Sequence, residues 1–175
     1  GLVARLTNSS SELGVELDSL SDIVSFGAAP SFLLYKTYFY SLDVWGILIS
    51  AVPLIAGGFR LARFNIQLVG FSKSFFLGLP IPSSALTIAS FVLAFYTDGF
   101  PKPISDFIIP MILVLSFLMV SNIRYETLPK ISLKSIKEKP YHFIYLIIAV
   151  LLVVFMYTKG MFLVFVFMIL IGIFR

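Results

Sequence analysis

The 175-residue sequence has no cysteine, a single histidine and few charged side chains. Without cysteine, the chain can form neither a disulfide nor a thiolate metal site, and it has no thiol nucleophile. The lone His142 excludes a site built from several histidines. Any metal would therefore be held by carboxylates, which favour hard ions such as Mg²⁺, Mn²⁺ or Ca²⁺. Only 13% of the residues are charged, against about 25% in soluble domains, so the chain lacks the surface of a water-soluble protein.

Apolar side chains dominate instead, with 59% hydrophobic residues, 16% of the sequence being aromatic. They fall into segments that approach the roughly 20 residues needed to cross a bilayer. Each segment is predicted to be a helix, because open sheet edges cannot face lipid. We therefore predict an all-α, polytopic transmembrane bundle forming one domain over residues 1–175. Its six helices are expected at about 12–39, 42–64, 80–98, 104–122, 142–157 and 160–174, the last two joined by a tight turn at 158–160.

The basic residues lie in the connections between these segments, so the net charge of +4 does not indicate a nucleic-acid partner. If the N-terminal residues are cytoplasmic, the cytoplasmic side carries ten of the 13 Lys and Arg residues: Arg5, Arg60, Arg63, Lys73, Arg124, Lys130, Lys134, Lys137, Lys139 and Arg175. The other side carries only Lys36, Lys102 and Lys159. This bias predicts that the chain is integral to the cytoplasmic membrane in that orientation.

The first segment carries acidic residues where membrane helices usually avoid them. Gly14, Asp18 and Asp22 are spaced four apart and share one helical face, with the carboxylates about 6 Å apart along the axis. An acid near the membrane core costs about 2.5–3.5 kcal/mol on insertion scales. Three features could offset this cost: the helix N-terminus, pairing with Arg60 or Arg63, or a bound divalent cation. Spacing alone leaves all three open.

A longer pattern includes these residues. Gly1-x-x-Ala4-Arg5 is followed by eight residues and then by Gly14-x-x-x-Asp18-x-x-x-Asp22. This pattern resembles the signature of the CDP-alcohol phosphatidyltransferases. In that family two further aspartates precede the first glycine, so we expect the natural chain to be longer at its N-terminus and to carry helices missing here. Residues 17–30, 60–65, 78–82 and 120–124 are similar to blocks of the serine-using branch.

The resemblance implies a two-metal site with Mg²⁺ or Mn²⁺, Ca²⁺ being a further candidate. Asp18 would be a metal ligand, and Asp22 would be the general base that also contacts a metal. The site would transfer a phosphatidyl or archaetidyl group from CDP-diacylglycerol, or its ether-lipid analogue, to the hydroxyl of L-serine, with release of CMP. The active site would face the cytoplasm, and the chain would form a homodimer.

The nucleotide end of the lipid substrate would contact the first part of the signature. Within it, small residues leave room for a close approach, and an arginine could contact the pyrophosphate. The residues predicted to bind the CDP-lipid are Gly1, Ala4, Arg5, Gly14 and Asp18.

Arg60 and Arg63 are predicted to contact the acceptor. They lie three apart on one helical face and are followed by Asn65. Serine presents a carboxylate, which suits the guanidinium fork. We expect at least one of the two arginines to bind the serine carboxylate or a substrate phosphate. The alternative is that both only anchor the helix on the positive side of the membrane. Asn122 and Arg124 are weaker candidates.

Two other functions fit part of the pattern. The acceptor could be inositol phosphate or glycerol phosphate, which would require a further basic cluster near the site. The protein could also be a channel or carrier whose acidic stripe lines an ion path. That alternative leaves the spacing of Gly1, Ala4 and Arg5 unexplained.

Overall fold

The computed structural model describes residues 12–68, 75–126 and 140–173. These residues are nearly all helical, as predicted, and the bundle has the expected order of segments. The α-helices are α1 (Glu12–Asp22), α2 (Ala29–Thr37), α3 (Asp43–Leu68), α4 (Ile81–Phe95), α5 (Ile108–Val120) and α6 (Pro140–Ile173). Short 3₁₀ turns at Phe39–Leu42 and Ile104–Phe107 precede α3 and α5.

The first predicted segment is one continuous rod with a π-helical turn, Ile23–Ala28, between α1 and α2. Pro30 explains why the turn lies there. A proline in a helix cannot donate the backbone hydrogen bond to the preceding turn, and its ring crowds the carbonyl there. Membrane helices accommodate such a residue by local π or 3₁₀ adjustments. The rod therefore stays helical through Pro30, and its second half, α2, packs into the bundle.

Apolar packing around α3 and α4 forms the core. α3 packs against the π turn and α5, while α4 packs against α6. The close approach of α3 to α4 depends on Gly57, where an added Cβ would overlap the side chain of the buried Ile81. Other fully buried members of this core include Leu34, Leu79 and Ile88.

Two three-residue strands are the only β-strands in the described ranges. β1 (Phe75–Leu77) and β2 (Arg124–Glu126) form an antiparallel ladder that joins the segment before α4 to the segment after α5. Tyr125 of β2 is buried and lies against Gly172 of α6. Burial raises the pKa of the Tyr125 hydroxyl.

The last two predicted segments are the halves of α6, which reverse direction at Tyr157 (φ 49°). Gly160 lies against the backbone of Leu152, eight residues earlier, so closely that a Cβ would overlap the Leu152 carbonyl. Residues so separated would be about 12 Å apart in a straight helix. The Tyr145 hydroxyl donates to the Val164 carbonyl (2.8 Å) across the same hairpin. The tight turn predicted at 158–160 is therefore present.

Two helical stretches, Phe39–Ile66 and Tyr145–Ile173, are long and apolar enough to cross a membrane by length and composition. Only 6% of the most apolar window of the second stretch is buried inside the protein. A core helix of a soluble protein would be mostly buried. The exposed apolar surface of this hairpin is thus suited to contact with lipid.

Candidate active site

The predicted acidic residues lie on the side of α1 that faces α3. Asp22 is half-buried at the end of α1, and Asp18, one turn earlier, is exposed. Gly14 is exposed one further turn toward the N-terminus. Further toward the C-terminal end of the rod, the side that faces α3 becomes buried, beginning at Gly27. The two carboxylates therefore sit where a polar helix end passes into the packed bundle.

A buried cation on α3 lies near Asp22. Arg60 is only 6% exposed, and its guanidinium lies 5.7 Å from the ring centre of Phe64. Asp22 experiences both the positive charge of Arg60 and the negative charge of Asp18. Arg60 is thus near enough for its charge to act on Asp22, which is compatible with one of the three offsets that the sequence left open for an acid in this position.

Asn65 ties α3 to the acidic helix. Its Nδ2 donates to Ser19 Oγ (2.9 Å), and the Ser19 hydroxyl lies 3.4 Å from Asn65 Oδ1 and 3.2 Å from the Val15 carbonyl. Ser19 is the sequence neighbour of Asp18. The predictions from sequence did not include Ser19, although its place three residues before Asp22, on the same side of the helix, was a usable signal.

Arg63 has a different environment from Arg60. Its two terminal nitrogens donate to oxygens around the end of α5: the carbonyls of Val120 (2.8 Å), Ser121 (3.0 Å), Leu77 (3.1 Å) and Met119 (3.4 Å), and Oδ1 of Asn122 (3.3 Å). A cation is favoured at a helix C-terminus, where carbonyl groups are left without helical partners. Arg63 therefore binds the end of α5.

The turn before α4 docks onto the same helix end. Gly78 has a φ of +76° and donates its N–H to the Ile123 carbonyl (2.8 Å), and Leu79 donates to the Leu118 carbonyl (2.9 Å). A Cβ on Gly78 would overlap the Met119 carbonyl and lie 2.8 Å from an Arg63 nitrogen. Both the φ angle and the contacts therefore require glycine at this position.

These contacts bring together the separate sequence blocks that resembled the serine-using branch. α1 begins, α3 ends, α4 begins and α5 ends at one end of the bundle, and the β1–β2 ladder lies at the same end. We call this end of the bundle the polar end. It is reached by all four blocks: 17–30, 60–65, 78–82 and 120–124. Of the weaker candidates, Asn122 is exposed there and accepts from Arg63. Arg124 lies in β2, and its side chain is outside what the structure describes.

The chemistry of the donor set fits a hard divalent cation, since Asp18 and Asp22 offer only carboxylate oxygens. Within residues 12–68, 75–126 and 140–173, no group of three or more His, Cys, Asp or Glu side chains could hold an ion. The two aspartates would therefore supply part of a ligand set. The predicted lipid-binding residues Gly1, Ala4 and Arg5 lie outside the described ranges.

Comparison with known proteins shows a family match. The model of the CDP-alcohol phosphatidyltransferase family matches residues 1–121. The chain is 40% identical over 132 residues to the CDP-diacylglycerol–serine O-phosphatidyltransferase of Helicobacter pylori, covering 75% of this chain and 56% of the relative. The protein of the same name from Methanocaldococcus jannaschii is 42% identical over 132 residues, covering 74% and 57% respectively. The archaetidylserine synthase of Methanothermobacter thermautotrophicus is 41% identical over 112 residues, covering 64% and 44%. The chain thus spans little more than half the length of the first two relatives.

Proposed function

The chain belongs to the CDP-alcohol phosphatidyltransferase family, and on that premise we propose that it transfers a phosphatidyl or archaetidyl group from a CDP-lipid to the hydroxyl of L-serine. The products would be the serine phospholipid and CMP. The similarity to two serine phosphatidyltransferases and to an archaetidylserine synthase supports this acceptor and leaves both ester and ether lipids as donors. The apolar helices and these relatives mark the chain as an integral membrane protein.

One observation carries the proposal: Asp22 of the family signature lies near the buried Arg60 at the polar end of the bundle. Asp22 and Arg60 lie on neighbouring antiparallel helices, which the Ser19–Asn65 hydrogen bond holds together. Such an end can accommodate a zwitterionic acceptor, because it offers both signs of charge at one site. It also lies where the head group of a membrane lipid can reach it.

Asp22 is proposed as the general base. The serine hydroxyl is a weak nucleophile at neutral pH, and a carboxylate within hydrogen-bonding reach can accept its proton as the oxygen attacks. The new bond forms between the serine oxygen and the phosphorus that carries the lipid. The bond from that phosphorus to CMP breaks, and CMP departs with the electron pair. Asp22 is half-buried, which keeps the proton transfer partly shielded from water.

Asp18 and Asp22 would hold divalent metal together with carboxylates outside the described residues. When bound, Mg²⁺ or Mn²⁺, two ions per site in the family, would neutralise the pyrophosphate charge and stabilise the leaving CMP. Gly1, Ala4, Arg5, Gly14 and Asp18 are proposed to bind the CDP end of the lipid. The exposed position of Gly14, one turn from Asp18, is compatible with a nucleotide lying along this face.

Arg60 is the arginine we propose for the serine carboxylate. It lies in the polar end beside Asp22, whereas Arg63 donates to the carbonyls at the end of α5. Asn65, five residues beyond Arg60, is proposed to line the same site from its contact with Ser19. Replacing Arg60 by Lys should raise the serine concentration for half-saturation about ten- to a hundredfold, because a hydrogen bond to a charged group contributes about 1.5–3 kcal/mol. Unchanged serine saturation would exclude this role.

The polar end is proposed to face the cytoplasm, because it carries most of the basic residues. We also infer from family membership that two copies associate as a homodimer. Crosslinking of the full-length protein in native membranes tests the dimer. Recovery of the monomer alone over the whole range of crosslinker concentrations would exclude it.

The decisive experiment uses the full-length protein in bilayers with CDP-diacylglycerol and Mg²⁺ or Mn²⁺. L-Serine, glycerol phosphate and inositol phosphate are supplied in turn, and CMP release is measured. Release that depends on serine alone supports the proposal. Release with a phosphorylated acceptor instead would keep the chemistry and change the substrate. Ion flux through the protein without CMP release would favour the channel or carrier alternative.

A further inference from the structure

The four carbonyls at the end of α5 all have partners that lie within the polar end. The Phe117 carbonyl accepts from the Ser121 N–H (2.9 Å). The Leu118 carbonyl accepts from the Leu79 N–H (2.9 Å) and the Ser121 hydroxyl (2.8 Å). The remaining two carbonyls, those of Met119 and Val120, accept from Arg63. One side chain from α3 thus completes a helix end 56 or more residues away in sequence.

The same guanidinium also holds the turn that leads into α4. It donates to the Leu77 carbonyl (3.1 Å), which is followed directly by Gly78. The close contacts of Gly78 with the Met119 carbonyl and with Arg63 leave no room for a side chain. We name Arg63, the turn 77–79 and the α5 end 118–121 the α5 clamp.

The clamp acts on the site through the last turns of α3. Arg60 lies one turn before Arg63 and faces Asp22, and Asn65 follows two residues later and bonds to Ser19 of α1. The end of α3 is therefore fixed on one side by α1 and on the other by the clamp. If the clamp loosens, Arg60 can shift relative to Asp22.

We propose that Arg63 is a positioning residue for the transfer reaction: through the α5 clamp it fixes the end of α3, and thereby the place of Arg60 opposite Asp22. This assigns Arg63 a role different from direct binding of the acceptor, and its kinetic consequence rests on the proposed function. A displacement of about 1 Å in a catalytic group can lower a rate about a hundredfold. The effect of losing the clamp should therefore appear in kcat more than in serine binding.

Two variants loosen the clamp from opposite sides. Arg63→Lys keeps the positive charge but replaces the planar fork with a single nitrogen. Gly78→Ala leaves Arg63 unchanged and introduces a Cβ against Met119 and Arg63. Gly99→Ala is the matched control. Gly99 also has a positive φ, +143°, but its Cβ would meet nothing within 4 Å, so this variant carries backbone strain without touching the clamp.

The first measurement is hydrogen exchange of the backbone amides at positions 78 and 79 in the full-length protein in nanodiscs, which does not depend on activity. Both clamp variants should exchange these amides about tenfold faster or more than wild type, and Gly99→Ala should not. Wild-type exchange rates in both clamp variants would overturn the clamp itself. If the wild type shows no serine-dependent CMP release, the proposed function fails while this measurement still tests the clamp.

The second measurement is kinetic, with rates expressed per folded molecule. Arg63→Lys and Gly78→Ala should each lower kcat about ten- to a hundredfold with less than about a twofold change in the KM for serine. A raised serine KM at wild-type kcat in Arg63→Lys would instead make Arg63 an acceptor-binding residue and refute the proposal. A loss of activity that only follows the folded fraction would reduce Arg63 to a structural residue, and also refutes it.

Discussion

Replacing Ser19 and Asn65 by alanine, singly and together, should measure the hydrogen bond that joins the acidic helix to α3. Ser19 has one hydroxyl proton, which can go either to Val15 (3.2 Å) or to Asn65 Oδ1 (3.4 Å), so the shorter bond from Asn65 Nδ2 (2.9 Å) is the main link. A neutral hydrogen bond contributes about 0.5–1.5 kcal/mol, and pairs between membrane helices average about 0.6 kcal/mol. We therefore expect a coupling free energy of about 0.6–1.5 kcal/mol, favouring the pair.

The assay is reversible unfolding of the full-length protein in mixed detergent micelles, with the coupling taken from the double-mutant cycle. Ser21 provides the control. It lies two residues further along α1, is exposed, and among the described residues its hydroxyl bonds only to the Leu17 carbonyl of its own helix (2.8 Å). The cycle of Ser21→Ala with Asn65→Ala should give a coupling near zero. A Ser19–Asn65 coupling no larger than that of the control pair would refute the account of how α1 is held against α3.

Three further predictions concern the site and the C-terminal hairpin. Asp22→Asn should lower serine-dependent CMP release about 10²- to 10⁴-fold, the usual contribution of a general base, while the variant still folds and unfolds cooperatively on heating. The control is Asp43→Asn, at an exposed carboxylate that starts α3, and it should keep activity. Near-wild-type turnover by Asp22→Asn would exclude Asp22 as the general base. Removal of divalent metal with EDTA should abolish CMP release, and Mg²⁺ or Mn²⁺ should restore it; activity that persists in EDTA would contradict a metal at Asp18. Tyr145→Phe should lower the free energy of unfolding by about 1 kcal/mol through loss of the bond to Val164 and leave kcat unchanged, and unaltered stability would argue against that bond.

The helices were predictable because hydrophobic length and helix-breaking residues are local properties. The predicted start of the second segment at 42 and the observed start of α3 at Asp43 differ by one residue, and the turn at 158–160 matches the break at Tyr157. The position of Asp18 and Asp22 on one face also followed from their spacing. The π turn was not predicted, although Pro30 was its sequence signal, because a proline in a helix can be accommodated in several ways.

The difference between Arg60 and Arg63 could not have been predicted from the sequence. Their spacing of three places both on one helical face, which makes them look equivalent. What separates them is tertiary: Arg60 is buried beside α1, and the partners of Arg63 come from β1 and the end of α5. Short strands such as β1 and β2 are equally hard to predict, since three residues give too little pattern and their pairing joins distant segments.

The π turn between α1 and α2 has a consequence for which changes the chain can tolerate. Such a turn holds about one residue more than α-helical winding would, and each residue rotates an α-helix by about 100°. Asp22 and Gly27, five positions apart, can therefore both point toward α3. If the same residues wound as an α-helix instead, both carboxylates would turn about a quarter of a revolution away from Arg60, whereas deleting one residue of Ile23–Ala28 would restore α-helical winding and leave them on the side that faces α3. The π winding of this stretch, more than the identity of its side chains, keeps Asp22 on the side that faces α3.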